Sequence, residues 1–550
     1  MNRMKRVVSF ANKRLSIKVA AILLASSTII SSLMGFFRDR LLNSAYMPNK
    51  DMGLAGYPVG LDAYTAAFTV PDFMYFILVS GALSVTFIPV FNERLARRNK
   101  KSAWQISTSM INFMALITLI ASVLIIIFAE PIVRYIIAPG LGESGTGLAI
   151  SMMRVIAVNP FLFAIATVIA SIQQAVGRFT FYALAPILYN LGIIVGILWF
   201  TNGINLFGWE IFGGGIMGVA LGVVLGAVLQ LLVSSAGLIG LGMDYDFKIY
   251  WRNKGFLQVL KLLPPRSIDQ GMDYVVTLVE INLASRMADG TIRAYQQALT
   301  LHLFPINLIG VAISSAAFPS MTESLGKGKT DDFRRELASV IRVIIWLALP
   351  VSMLIFFTRG YLVHFIRNGG DALMAGILGM LAIAVFFRSV YHIASRAFYA
   401  QQDTKTPLYT SIVAIALNVI LAIWLGMGLR MGAYGLAVAQ STVAAVEVVL
   451  LFVLINRRIG NLFDFRFIRA TLRMLLATAI MGVVAYVLVL LLPLQNADNS
   501  FFAALPKFMV ISLGSFAAYV GISKWLRLSE ADPVIDKVRG ILFKSWYNKR

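Results

Sequence analysis

Fourteen apolar runs of membrane-spanning length follow one another along this chain, near residues 17–37, 62–90, 104–128, 149–175, 181–201, 211–241, 256–285, 293–321, 337–357, 372–400, 407–427, 432–456, 467–493 and 502–525. In hydrocarbon a backbone must satisfy its own hydrogen bonds, and a straight helical crossing takes ~20 residues. The pattern therefore predicts an all-α integral membrane protein with fourteen transmembrane helices. Several runs exceed the minimum length, which implies tilt or extension beyond the bilayer. Charged residues make up 13% of the 550, against ~25% in soluble proteins. The first run, Ile17 to Phe37, follows a basic segment as a signal peptide would, but its 21 residues are too many for a signal h-region, and it reads as a retained helix.

The net charge of +22 would suggest nucleic acid in a soluble protein. Here the cations sit in alternate connections. "NERLARRNKK" has five basic residues, "GKGKTDDFRRE" four, "RRIGNLFDFRFIR" four and the tail from Lys524 seven, whereas "PLQNADNS" has none. This alternation places both termini in the cytoplasm and directs the basic tail to anionic headgroups, with no nucleic acid as partner. There is no cysteine, and His302, His364 and His392 show no metal-ligand spacing. No "GxxxxGK[ST]" loop is present, so the chain cannot hydrolyse ATP itself, and no enzyme signature appears.

The two halves repeat. "TFIPVFNERL" (86–95) matches "AAFPSMTESL" (316–325) at offset 230, with Pro89 on Pro319 and Glu93 on Glu323. "PIVRYIIAPG" (131–140) matches "YLVHFIRNGG" (361–370) at that offset, and "QQAVGRFTFYALAPILYN" (173–190) matches "QQDTKTPLYTSIVAIALN" (401–418) at offset 228, with Asn190 on Asn418. Polar landmarks in register argue for a true duplication: a lobe of helices 1–6 (1–242), a parallel lobe of helices 7–12 (243–458), two further helices (459–526) and a basic cytoplasmic tail (527–550). Parallel repeats of this kind are a transporter architecture with the site at the repeat interface.

Ionisable groups at membrane depth are costly and mark cavities or partners. "GFFRDR" closes the first run with Arg38, Asp39 and Arg40, which from position alone are either snorkelling anchors or a site. The second run opens at Asp62 and carries Asp72 after Pro71. In the seventh run Asp269 and Asp273 lie four apart on one face, with Glu280 two turns on. Such acids repel unless a cation or protons intervene, which fits a Na⁺ or H⁺ coupling site or, alternatively, neutralisation of Asp269 by Arg266. Asn418 joins them as a candidate coupling ligand, although Asn190 and Asn418 also read as interhelical hydrogen-bonding residues. Arg388, His392 and Arg396 in the tenth run share one stripe, which suits an anionic ligand such as a phosphate, or pairing with the acids of the seventh run. Arg154 and Glu447 stand alone and read as structural partners.

These residues carry a family resemblance. Gly35, Phe36, Arg38 and Asp39, then Asp62-Ala63-Tyr64, Val70-Pro71-Asp72, and Gly81, Ala82, Ser84, Phe87 and Pro89 resemble the G-F-x-R-D, D-A-F, L-P-N and G-A-x-S-x-x-F-x-P pattern of the MurJ/MviN proteins of the MOP exporter superfamily. "FPINLIGVAISSAAFPSMTE" and "FYAQQDTKTP" extend it, over roughly residues 20–460. The resemblance implies a flippase carrying the undecaprenyl-pyrophosphate-linked peptidoglycan precursor, lipid II, from the inner to the outer leaflet of the bacterial cytoplasmic membrane. Transport would be by alternating access around a cationic cavity, with the lipid tail in a groove beside the last two helices. It implies drive from the membrane potential or a Na⁺ or H⁺ gradient, no other cofactor, and action as a monomer. The candidate substrate-binding residues are Arg38, Asp39 and Asp62, which lie in the family pattern, with Arg388, His392 and Arg396 from the basic stripe of the tenth run. The chain departs from the family where further cavity arginines fall near Ser32, Tyr75 and Thr300, none of them basic here. Arg388, His392, Arg396 and Arg293 are the candidate replacements. The alternatives are a flippase for another polyprenyl-linked saccharide, a drug/Na⁺ antiporter of the same superfamily, and a non-transporting scaffold of the same fold.

Overall fold

The computed structural model describes residues 17–46, 59–206, 209–212, 214–367, 369–495, 498 and 500–536, with the side chains of 17, 18, 21, 80–85, 204–206, 209–212 and 265–273 outside that description. The helices are α1 (Ile17–Ala45), α2 (Val59–Tyr75), α3 (Gly81–Ala96), α4 (Lys100–Pro131), α5 (Glu143–Ile156), α6 (Asn159–Ala175), α7 (Thr180–Leu198), α8 (Met217–Ala236), α9 (Lys254–Ser285), α10 (Thr291–Ile306), α11 (Ala312–Gly326), α12 (Thr330–Ile366), α13 (Ala372–Ala400), α14 (Lys405–Leu421), α15 (Ala433–Ile459), α16 (Phe465–Leu491) and α17 (Phe501–Trp525).

Polar residues in the connections start these helices. Asn99, Asn253, Asp371, Asp464 and Ser500 each accept a backbone N–H of the following turn, as N-caps do. Gly460, at φ +64°, ends α15. Among the described residues, twelve helical segments are long and apolar enough to cross a membrane. The second and seventh expected spans are helical, over α2–α3 and α9, but do not enter that count.

Three expectations shift. The fourth run divides into α5 and α6 where Pro160 removes a backbone donor and starts a new helix. The sixth begins later than expected, at Met217. The stretch before it forms a short antiparallel hairpin, Ile204–Leu206 with Trp209–Phe212, followed by Gly214 and Gly215 at φ +88° and +75°, a conformation open to glycine. The second run is broken by a π turn at Phe76–Ser80 between α2 and α3. A second π turn, Asn307–Val311, separates α10 from α11. The two lie 231 residues apart, so the duplicated halves share a backbone irregularity as well as polar landmarks.

The chain forms two compact units, 1–293 and 294–550. The division falls one helix beyond the 242/243 lobe boundary read from the repeat, because α9 packs on α3, α4 and the π turn at 76–80. In the first unit α7 and α8 meet backbone to backbone: a Cβ on Gly192 would lie 2.3 Å from Gly226 Cα, and one on Gly222 2.5 Å from Gly196 Cα. Small residues four apart permit this approach, which is how helices without a hydrophobic driving force gain contact in lipid. In the second unit α12 is the centre. Trp346 donates its indole N–H to Ser523 Oγ (3.2 Å), and Tyr519 donates to the Trp346 carbonyl (2.9 Å), pinning α17 to α12. Leu119, Ile120, Val123, Leu124 and Ile127 of α4 stay exposed, as a lipid-solvated face requires.

Candidate functional site

In the first unit the sequence GFFRDR becomes the centre of a polar cluster. Arg38 and Asp39 are adjacent on α1, and one guanidinium Nη reaches Asp39 Oδ1 at 3.2 Å. The other donates to Asn190 Oδ1 of α7 at 2.9 Å. Asn190 is itself oriented, since its amide donates to Ser31 Oγ (3.2 Å) and the Pro186 carbonyl (3.1 Å). Gly35 lies against the same amide: a Cβ there would stand 3.7 Å from Asn190 Oδ1, an ordinary contact.

Arg293 enters the same cluster from the first turn of α10. Its Nη2 lies 3.5 Å from Asp39 Oδ1 and 3.4 Å from Asn43 Oδ1, and its side chain is 9% exposed. Two arginines thus share one carboxylate. The Nε of each is buried without a partner among the described residues. Asp72, Tyr64 and Tyr189 lie close enough to Arg38 to interact electrostatically. A guanidinium pair of this kind can receive a phosphate oxygen through planar, always-charged donors.

Asp62 does something different. Its two carboxylate oxygens accept the backbone N–H of Gly290 (2.6 Å) and Arg293 (2.8 Å), and it is 3% exposed. It is an N-cap supplied from a distant helix, fixing the start of α10 and hence the position of Arg293. Arg293, one of the candidate replacement cations, thus joins Arg38 at Asp39, with Asp62 holding its backbone.

The positions lacking family arginines are occupied otherwise. Ser32 is exposed. The Tyr75 hydroxyl meets Thr167 Oγ1 at 3.0 Å while its ring packs on Phe163. Thr300 bonds back to the Gln296 carbonyl.

In the second unit Arg388, His392 and Arg396 do share one stripe of α13, but each is engaged separately. Arg388 Nη1 donates to Glu447 Oε2 of α15 at 3.0 Å, and its guanidinium lies 5.8 Å from the Tyr391 ring centroid. The pairing open from sequence, with the acids of the seventh run, is replaced by one with Glu447, which had read as isolated. His392 stacks edge-on against Tyr391. Arg396 lies 6.0 Å from the Phe318 centroid and makes no hydrogen bond or ion pair among the described residues. Asn418 is buried, and its Oδ1 has no partner among the described residues. The side chains of Asp269 and Asp273 lie outside the described residues, and Glu280 is 1% exposed. Arg154 is exposed and donates to the Ile126 carbonyl. No group of three or more metal-ligating side chains occurs among the described residues.

At the loop between α13 and α14, Asp403 accepts the Thr406 hydroxyl (2.7 Å) and N–H (3.0 Å) and pairs with Arg458 at 2.8 Å. The Thr406 hydrogen bonds, aided by Arg458, hold its carboxyl down at about 2. This is the aspartate of "FYAQQDTKTP", and its chemistry is that of a lock between three helix ends.

A nearly all-helical, multi-pass chain with duplicated halves, broken helices and arginines held inside its bundle is a membrane transporter of the MOP exporter fold. Solved structures agree. A lipid II flippase MurJ in an inward closed conformation superposes with TM-score 0.71 at 23% identity, covering 90% of this chain and 98% of that one. An inward-facing multidrug resistance MATE family transporter of the MOP superfamily gives 0.65 at 16%, covering 80% and 98%. Residues 54–506 match the family described as lipid II flippase MurJ, and the chain belongs to that family. Among its relatives, the probable lipid II flippase MurJ of Thermotoga maritima is 27% identical over 92% of this chain and 96% of its own length. The lipid II flippase MurJ of Burkholderia cenocepacia is 25% identical over 80% and 84%.

Proposed function

We propose that this protein is a lipid II flippase, moving the undecaprenyl-pyrophosphate-linked peptidoglycan precursor from the inner to the outer leaflet of the bacterial cytoplasmic membrane by alternating access. The observation that carries the reading is the Arg38–Asp39–Arg293 cluster in a chain of this family: two guanidinium groups share a single carboxylate inside a helical bundle. A pyrophosphate crossing ~30 Å of hydrocarbon needs its charge met by fixed cations in a polar path, and the two guanidinium groups of this cluster are such cations. Arg396 supplies a further cation in the second unit. Both termini are cytoplasmic in this reading, the basic tail lies on anionic headgroups, and α16 and α17 flank the groove for the polyprenyl tail. The protein works as a monomer, drawing on the membrane potential or a cation gradient, with Asp269, Asp273 and Asn418 as candidate coupling residues.

The test is rescue of a cell depleted of its own lipid II flippase, combined with an assay of lipid II exposed on the outer leaflet. Rescue by the wild-type chain, lost in Arg38→Ala and Arg293→Ala at equal expression, is expected. Normal expression without rescue overturns the reading. The uncharged residues at Ser32, Tyr75 and Thr300 favour one second reading, another polyprenyl-linked saccharide as cargo, which such a failure would bring forward.

A further inference from the structure

The Arg388–Glu447 pair is asymmetric. The glutamate side chain is 2% exposed and the arginine side chain 30%, so an incoming anion can reach the cation but not the acid. Only one Arg388 nitrogen is committed, to Glu447, and its other donors make no hydrogen bond among the described residues. Behind the acid stands a chain of hydroxyls. Ser411 of α14 donates to Glu447 Oε1 at 2.9 Å. Tyr391 of α13 lies 3.2 Å from Ser411 Oγ. Because the Ser411 proton is spent on Glu447, the Tyr391 hydroxyl must be the donor in that second bond. The order of donation is therefore Tyr391 to Ser411 to Glu447, the direction in which a proton would travel to the carboxylate. Neither the ion pair nor the hydroxyl chain is needed merely to fill space between apolar helices, where a well-packed hydrophobic group serves as well or better.

Taking the flippase reading as its premise, we propose that Glu447 is the exchangeable counter-ion of Arg388: an anionic pyrophosphate headgroup displaces it from the guanidinium, and the abandoned acid takes up one proton along Tyr391 and Ser411. The physical reason is that a buried carboxylate deprived of its cation neutralises rather than remain charged in a low-dielectric interior. The proton balance closes. Ser411 passes its hydroxyl proton to Glu447 and receives that of Tyr391, which is resupplied by water. When the headgroup leaves, Arg388 returns to Glu447 and the proton departs by the same path. Headgroup binding is thereby linked to proton uptake. The ionisable groups around this acid are Arg388, Tyr391, His392 and Arg396 on α13 and His302 on α10, of which His302 and His392 interact electrostatically with Arg388. On α14 the ionisable residues are Lys405 and Tyr409, both in its first two turns, and on α15 itself they are Tyr434, Arg457 and Arg458.

The test uses the full chain in lipid nanodiscs, with farnesyl pyrophosphate as probe, in weakly buffered solution carrying a pH indicator. Wild type is expected to take up about one proton per probe bound, and its affinity to fall about tenfold per pH unit across the neutral range. Glu447→Gln, which keeps hydrogen-bonding oxygen but cannot accept the proton, is expected to bind with the pH dependence of the probe alone and no additional proton uptake. Tyr391→Phe is expected to reach the wild-type proton stoichiometry more slowly in stopped flow, a change that a purely structural role would not produce. Arg388→Gln is expected to weaken binding at least tenfold. Identical proton uptake in wild type and Glu447→Gln overturns the exchange while leaving the flippase reading intact. A wild-type chain that does not bind the probe overturns the pyrophosphate reading and the exchange with it.

Discussion

Replacing Asp62 by alanine removes a cap whose two partners have nowhere else to turn. Its carboxylate accepts N–H groups at 2.6 and 2.8 Å, and the residue is 3% exposed, so water does not take its place. Each orphaned buried donor costs ~1–3 kcal/mol, and loss of a negative charge from a helix amino end costs ~0.5–2 kcal/mol. Asp62→Ala is therefore expected to destabilise by about 2.5–8 kcal/mol. Asp62→Asn keeps one accepting oxygen but turns an NH₂ group toward the second donor, and is expected to fall between alanine and wild type. Thermal unfolding of the detergent-solubilised protein, followed by size-exclusion chromatography, gives the ranking, and flippase complementation is measured in parallel. If Asp62 instead served chiefly to contact cargo, both variants would melt like wild type and lose transport alone. That result would refute the capping argument.

Gly222→Val is expected to cost ~1–3 kcal/mol by overpacking, since its Cβ would stand 2.5 Å from Gly196 Cα, whereas Gly147→Ala, with nothing within 4 Å, is expected to be neutral or slightly stabilising; melting curves of the pair decide. Arg38→Lys cannot hold Asn190 and Asp39 at once with a planar fork, and loss of one charge-assisted bond, ~1.5–3 kcal/mol, predicts roughly a tenfold to hundredfold weaker rescue at limiting expression. Asp403 has a depressed pKa, so its contribution is complete above the unfolded value near ~3.9 and lost as pH falls toward about 2. Asp403→Asn, which keeps the cap but loses the Arg458 charge, is accordingly expected to be less stable than wild type by ~0.5–1 kcal/mol from neutral pH down to ~5, with the gap closing below ~4 in thermal melts.

What the sequence makes legible depends on the range of the interaction. Spans and the adjacency of Arg38 and Asp39 follow from local length and spacing. The duplication follows from polar residues in register, and the matching π turns reinforce it without having been visible in composition. Asp62 reads only as an acid at a helix start, because its partners are backbone groups 228 and 231 residues away and leave no side-chain signature. Glu447 reads as isolated for the same reason: Arg388 is 59 residues distant. One signal was available, since an acid alone in an apolar helix and a base in another helix of the same lobe are each other's cheapest solution in lipid. Arg293 was legible as a candidate cation, but its meeting with Asp39 depends on how α10 is capped.

The glycine seam between α7 and α8 has a mechanical consequence. With two backbones in direct contact, a slide of even one residue's rise, ~1.5 Å, would bring side chains to where glycine now stands. The pair cannot shear, and it behaves as a stiff beam within its unit. Bending during a transport cycle is then left to elements whose hydrogen-bond ladder is already interrupted, such as the π turns at Phe76–Ser80 and Asn307–Val311, which can change pitch without breaking a regular helix.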